Sequence, residues 1–246
     1  MLDEIDISIV IPAFNEEKRL PTFLQQVIMF CIARSETFEI IVVDDGSHDD
    51  TIRVAESYRA HFSGLRVLCN RKNRGKGYAV KRGLLKARGK ICLFMDADGS
   101  VLPNEIQKNL HYITADGYDI FVGSRVLKEK GQSLNVRWYR KIPGTIFNFL
   151  VRILLFKEVQ DTQCGFKLFR REVIKPLFSR CHLRGFGFDI EILYLAYKMG
   201  YGVKEGPVSW QHVKGSKFNF FTDPLGMFFS ILQVKSWHCT LNQPFL

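Results

Sequence analysis

Through the first half of the chain, short apolar runs rich in β-branched residues alternate with stretches whose apolar positions recur at helical spacing. Ile5–Ile11, Phe38–Val43, Leu65–Leu68, Ile91–Met95 and Ile120–Val122 read as strands, and 16–34, 49–62, 75–88 and 103–115 as helices. Alternation of this kind predicts an α/β fold with a Rossmann-like, mostly parallel sheet and helices on both faces. Ligands in such sheets sit beyond the carboxyl ends of the strands. Polar clusters fall at those ends: Asn15-Glu16, Asp44-Asp45-Gly46-Ser47 and Asp96-Ala97-Asp98-Gly99. The second half is less regular. Residues 145–156 are almost wholly apolar and follow Arg137, Arg140 and Lys141, and a second aromatic-rich segment runs from Phe218 to Val234. The pattern predicts a catalytic domain over 1–217 and an apolar extension over 218–246, forming a membrane-surface or oligomer interface.

Composition narrows the class. The 246 residues are 46% hydrophobic and 24% charged, which excludes disordered and collagen-like chains and leaves room for a sizeable core. The formal charge of +10 is uneven: residues 1–123 hold 16 basic and 17 acidic groups, whereas 124–246 hold 19 and 8. A basic second half suits an anionic partner. The cysteines, at 31, 69, 92, 164, 181 and 239, form no C-x-x-C pair, so their spacing offers neither a disulfide framework nor a zinc site and predicts a reducing compartment. The acidic start, Met1-Leu2-Asp3-Glu4, does not resemble a signal peptide, and no run of about 18 apolar residues predicts a membrane-spanning helix.

Several clusters carry candidate chemistry. Asp96 and Asp98 lie two apart at the end of a strand, where both side chains are expected to leave one face. A hard divalent cation, Mg²⁺ or Mn²⁺, would relieve their repulsion; a solvated Asp-Gly turn explains the same residues without one. Asp44-Asp45-Gly46-Ser47, followed by Asp49 and Thr51, ends another strand, and one of its carboxylates can accept bonds from a base or ribose, although Asp-Gly turn formation and helix capping also account for this segment. Asn73-Arg74-Gly75-Lys76-Gly77 opens a helix within an acid-free stretch, Ser57–Met95, that holds eleven lysines and arginines. It has neither Walker nor G-x-G-x-x-G spacing, and Lys76 is the basic residue assigned to a site. Asp189 and Glu191 are too close in sequence to share a helix face, so one of them is expected in the site, unless Asp189 is a helix cap. Cys164 reads as buried packing, and the absence of H-E-x-x-H argues against zinc hydrolysis.

Taken in order, Ile9-Val10-Ile11-Pro12-Ala13-Phe14-Asn15-Glu16-Glu17, Val42-Val43-Asp44-Asp45-Gly46-Ser47, Asn73-Arg74-Gly75-Lys76-Gly77 and Asp96-Ala97-Asp98-Gly99 resemble the family-two inverting glycosyltransferases of GT-A fold. The resemblance continues through Gly123-Ser124-Arg125, Asp161-Thr162-Gln163-Cys164-Gly165-Phe166-Lys167, Phe188-Asp189-Ile190-Glu191 and Gly215-Ser216-Lys217, which are similar to the polyprenyl-phosphate sugar synthases, dolichyl-phosphate β-glucosyltransferases in particular. It covers roughly residues 5–217. It implies that Pro12, Ala13, Phe14, Glu16 and Asp45 hold the nucleotide and that Lys76, Asp96 and Ala97 contact the nucleotide sugar. It further implies that Asp98, with Asp96, binds Mg²⁺ or Mn²⁺, and that Arg125, Arg137, Arg140 and Lys217 bind phosphate groups. Gln163 and Asp189 would line the sugar and acceptor end.

The expected reaction is inverting transfer of a hexose from a nucleotide diphosphate sugar to a polyprenyl phosphate at the cytoplasmic face of a membrane. UDP-glucose leads as donor, GDP-mannose follows, and a soluble transferase acting on a hydroxyl remains an alternative. A nucleotidyltransferase would instead release diphosphate. A nucleic-acid-binding role for the 66–90 basic run fails for want of interleaved aromatics, Tyr78 being the only one.

Overall fold

The computed structural model describes residues 4–127, 155, 158–213 and 223–239. Strands β1 (Ile7–Ala13), β2 (Phe38–Asp44), β3 (Leu65–Cys69), β4 (Ile91–Met95), β5 (Ile120–Ser124), β6 (Phe166–Arg170) and β7 (Val203–Pro207) form one sheet. Their order is β3-β2-β1-β4-β6-β5-β7, and only β6 runs antiparallel to its neighbours.

Strand residues feed two cores by turns, as period-two side chains must. Val10, Ile41 and Val43 face a core shared with helix α3 (Lys76–Lys86), whereas Ile9, Ile11, Ile40 and Val42 face one shared with α1 (Leu20–Ile32). Apolar side chains on both sides explain why these strands read as continuous hydrophobic runs. α2 (Thr51–Ser57), α4 (Asn104–Asn109) and α5 (His111–Thr114) follow in the first half. α6 (Arg171–Arg180), α7 (Phe188–Lys198) and α8 (Asp223–Trp237) complete the described helices.

The five anticipated strands occur, with ends displaced by up to two residues. The helices are shorter than their apolar spacing predicts. Residues 14–19 form a turn in which Glu16 O accepts the amides of Arg19 and Leu20, so α1 starts at Leu20 rather than 16. The 49–62 stretch divides into α2 and a 3₁₀ turn, Tyr58–Ala60. Strands β6 and β7 were not anticipated. β6 buries Lys167 as its second residue and β7 is mostly half-buried, so neither presents a clean apolar run.

All six parallel strands end at the same sheet edge. Because β6 is antiparallel, with Phe166 opposite Met95, the residues just before it arrive at that edge too. β1 lies between β2 and β4, so the connections diverge on either side of it, opening the crevice where α/β sheets bind ligands. At the opposite edge, wholly buried Glu39 accepts bonds from Ser8 Oγ at 2.7 Å and the Arg88 amide at 2.6 Å, and pairs with Arg66 and Arg88.

Candidate active site

Two loops are stitched together beyond β1 and β2. Asn15, at φ +51°, accepts the His48 amide through Oδ1 at 2.8 Å, and its own amide donates to Ser47 Oγ at 2.8 Å. Asp44 Oδ2 accepts the amides of Gly46 and Ser47, closing the Asp-Gly turn. Gly46 has φ +76°, and a Cβ there would stand 2.5 Å from the Lys72 carbonyl carbon, so the turn and the 70–75 loop touch backbone to backbone. Asp45 organises that loop: Oδ1 accepts from Asn70 Nδ2 at 2.7 Å, and the carboxylate takes the amides of Arg74 and Gly75. Glu16 pairs with Arg19, and its amide donates to Thr51 Oγ1. Pro12 and Ala13 are the last two residues of β1 before this cradle, and Phe14 meets His48 edge-on.

Asp96 and Asp98 lie past the end of β4, in a turn rather than on the strand, so the pleat does not align them. Tertiary contacts gather their charge instead. Lys76 Nζ, at the start of α3, sits 2.6 Å from Asp96 Oδ1. Burial opposes its positive charge, but Asp96, Asp189 and Asp98 outweigh that penalty and raise its pKa. Asp98 Oδ1 accepts the Ser100 amide, and Asp98 also acts electrostatically on Arg19. Ala97 is buried between the two acids. The Asp96 carboxylate occupies the space over Gly165, where a Cβ would lie 2.0 Å from Oδ2. Two carboxylates on a turn, with a cradle kept clear for one of them, fit a hard oxygen-seeking cation such as Mg²⁺ or Mn²⁺.

The remaining wall comes from β5, β6 and α7. Arg125 grips Asp161 in a bidentate pair, Nε at 2.7 Å and Nη2 at 2.8 Å, and donates its amide to the same carboxylate. Burial would raise the Asp161 carboxyl, but Arg125 overrides it and holds the pKa below the usual range. Asp189 is not the cap of α7; it lies within the first turn and meets Lys167 Nζ at 2.5 Å. Lys167 is wholly buried and spends its other donors on the carbonyls of Thr162 and Cys164. Burial pushes the Asp189 carboxyl up despite Lys167 and Lys76. Gln163 Nε2 is buried without a hydrogen-bond partner among the described residues. Cys164 packs with no exposure, its thiol pushed up to about 12 by burial, which suits packing and not nucleophilic attack.

Asp45, Lys76, Asp96, Asp98, Arg125, Gln163 and Asp189 therefore converge on one sheet edge. Arg137, Arg140 and Lys217 lie outside the described residues. Lys167 and Asp161 receive no individual assignment from spacing; the available signal is a set of polar groups embedded among aromatic residues, since such groups require partners. Beside Asp98, a cavity of about 320 Å³ is lined in part by Lys18, Arg19, Phe23, Gln26 and Gln211.

The model of glycosyl transferase family 2 matches residues 8–178. The chain is 38% identical over 245 residues to a dolichyl-phosphate beta-glucosyltransferase of Dictyostelium discoideum, covering 95% of this chain and 75% of that protein. The human protein of the same name is 36% identical over 246 residues, at 95% and 76% coverage. Among solved structures, glucosyl-3-phosphoglycerate synthase from Mycobacterium tuberculosis bound to UDP superposes with a TM-score of 0.70 and 21% identity, over 94% of this chain and 80% of that one. Its complex with Mn²⁺, UDP and glucosyl-3-phosphoglycerate gives a TM-score of 0.66 at 22% identity, with the same coverage.

Proposed function

The chain belongs to glycosyl transferase family 2 and is a glycosyltransferase of GT-A fold, and from that premise we propose how its site moves glucose from UDP-glucose to a polyprenyl phosphate of the dolichyl class. The observation that carries the reading is the meeting of Lys76, Asp96, Asp98 and Asp189 at the β1/β4 crevice. The names of the relatives and the UDP held by the structural neighbour support the donor and the acceptor.

Pro12, Ala13, Phe14 and Glu16 line the nucleotide end. Asp45 acts there chiefly by fixing the 70–75 loop, since its oxygens are already engaged by Asn70, Arg74 and Gly75. Asp96 and Asp98 would hold Mg²⁺ or Mn²⁺, which would supply charge stabilisation for the departing diphosphate. Lys76 offsets the acid cluster, and Arg125, oriented by Asp161, faces the phosphates. Gln163 offers its amide nitrogen, unpartnered among the described residues, to a sugar or acceptor oxygen. An acceptor phosphate oxygen attacks the anomeric carbon opposite the diphosphate, the old glycosidic bond breaks with its electron pair leaving on the nucleotide, and configuration inverts. A phosphate monoester, with a second pKa of about 6, is already largely dianionic at neutral pH, so Asp189 positions and need not deprotonate. Arg137, Arg140 and Lys217 are assigned to the phosphates of donor or acceptor on the resemblance alone.

A donor panel with and without a short polyprenyl phosphate, read by product mass, tests this. Lipid-dependent glucosyl phospholipid with release of UDP is expected. GDP-mannose as the better donor would overturn the glucose assignment, and release of diphosphate or indifference to the lipid would overturn the reaction.

A further inference from the structure

Glu191 sits two residues from Asp189 in α7 but turns away from the active site. It is wholly buried, and among the described residues no lysine or arginine pairs with it. Its oxygens accept the amides of His182 and Leu183 and contact Cys181 Sγ at 3.1 Å and His238 Nε2 at 2.8 Å. His238 is buried just past the end of α8, whereas His182 is exposed and follows α6. The two imidazoles lie 5.7 Å apart, nearly parallel, with an interplanar angle of 17°. One ligand atom each from His182, Glu191 and His238 lies within 4.8 Å of the other two.

We propose that His182, Glu191 and His238 form a divalent-cation site of zinc type, separate from the Asp96–Asp98 pair. Two imidazoles and a carboxylate are donors that tetrahedral zinc prefers, at about 2.0–2.2 Å, whereas Mg²⁺ seeks oxygen alone. Ligand atoms around such an ion stand about 3.3 Å apart, so the triad closes when side-chain rotation brings the in-plane nitrogen lone pairs of the two rings and a Glu191 oxygen onto one point. The exposed imidazole of His182 supplies the entry path. Cys181 Sγ or water completes the fourth position. The ion would clasp the ends of α6 and α8 to α7, bracing the helix whose first turn also carries Asp189.

Cobalt(II) provides a visible probe. The full chain, stripped with chelator and saturated with Mg²⁺ and UDP, is titrated with Co²⁺ and followed by absorption and thermal unfolding. One equivalent giving the intense bands of tetrahedral cobalt, with a rise in Tm, is expected. His182→Ala, at an exposed position, and His238→Ala should each weaken binding about tenfold or more, while Asp98→Asn should retain it. Absence of tetrahedral bands in the wild type, bands that survive both histidine variants, or their loss in Asp98→Asn would overturn the assignment.

Discussion

A charged side chain inside a strand must find its partners within the protein, and Lys167 does so with an acid and two carbonyls. Lys167→Met leaves Asp189 buried without that ammonium, a loss of about 3–5 kcal/mol by analogy with broken buried pairs. Reduced stability in urea and a fall in kcat/KM are expected together, and unchanged values for both would show that the pair is dispensable. Asp189→Asn separates positioning from base catalysis. Activity should drop, but the pH profile should keep a limb near the phosphate pKa of about 6; a limb that vanishes would make Asp189 an obligatory base. Gly165→Ala tests the other acid. A methyl there would lie 2.0 Å from Asp96 Oδ2, so the carboxylate must move off its Lys76 contact. Calorimetry should show weakened binding of UDP with Mn²⁺ while the fold persists, since the displaced group sits at the sheet edge rather than in the core.

Elements are held at both ends of the sheet, but for different purposes. The edge away from the site is stitched by Glu39, which joins β1, β2 and the Arg88-Gly89 turn without approaching the crevice. Burial raises its pKa, and the bonds from Ser8, Arg88 and Arg66 more than reverse that, leaving it below the ordinary value of 4.5. Its stabilisation is therefore complete above that ordinary value and is lost as pH falls through the depressed folded value. Glu39→Gln should cost about 2–3 kcal/mol at neutral pH, and urea titrations should show the gap to wild type shrinking in acid. kcat per folded molecule should not change. At the site edge, Arg125–Asp161 ties the end of β5 to the loop entering β6, two elements far apart in sequence. Asp161→Ala should lower both stability and turnover, in contrast to Glu39→Gln.

At the scale of the molecule, the question is how a basic protein reaches a lipid acceptor. Among the described residues, no helix is long and apolar enough to cross a membrane. α8 divides its apolar residues. Ile231 and Val234 are buried in the core shared with α7, whereas Phe229, Leu232 and Trp237 are 60%, 49% and 45% exposed. Three exposed large apolar side chains on a protein of net charge +10 offer a surface that an anionic membrane interface could take up. Phe229→Glu with Leu232→Glu should reduce sedimentation with anionic liposomes containing polyprenyl phosphate, and high salt should reduce it further. Wild-type protein that remains in the supernatant at low salt would refute attachment through this surface. The 145–156 segment, the other candidate for the same role, lies outside the described residues.

Local pattern by itself determined the first five strands, the two-sided burial of the sheet and the edge on which Asp45, Asp96 and Asp98 would fall, because period and turn chemistry are properties of neighbouring residues. The family was equally legible, its motifs being short and contiguous. Tertiary structure alone decided the rest. Asp96 and Asp98 share a site through Lys76 and the clearance over Gly165, although no strand pleat aligns them. Lys167 can be buried in β6 because Asp189, 22 positions away, meets its ammonium there. The cysteine and histidine spacing predicts no zinc ligands, yet His182, Glu191 and His238 converge. Their separations along the chain carry no period, and only the docking of α8 on α7 brings them within reach of one ion. Burial charges a penalty that must be met by whatever the fold carries into contact, and contact across long separations is not written in any local window.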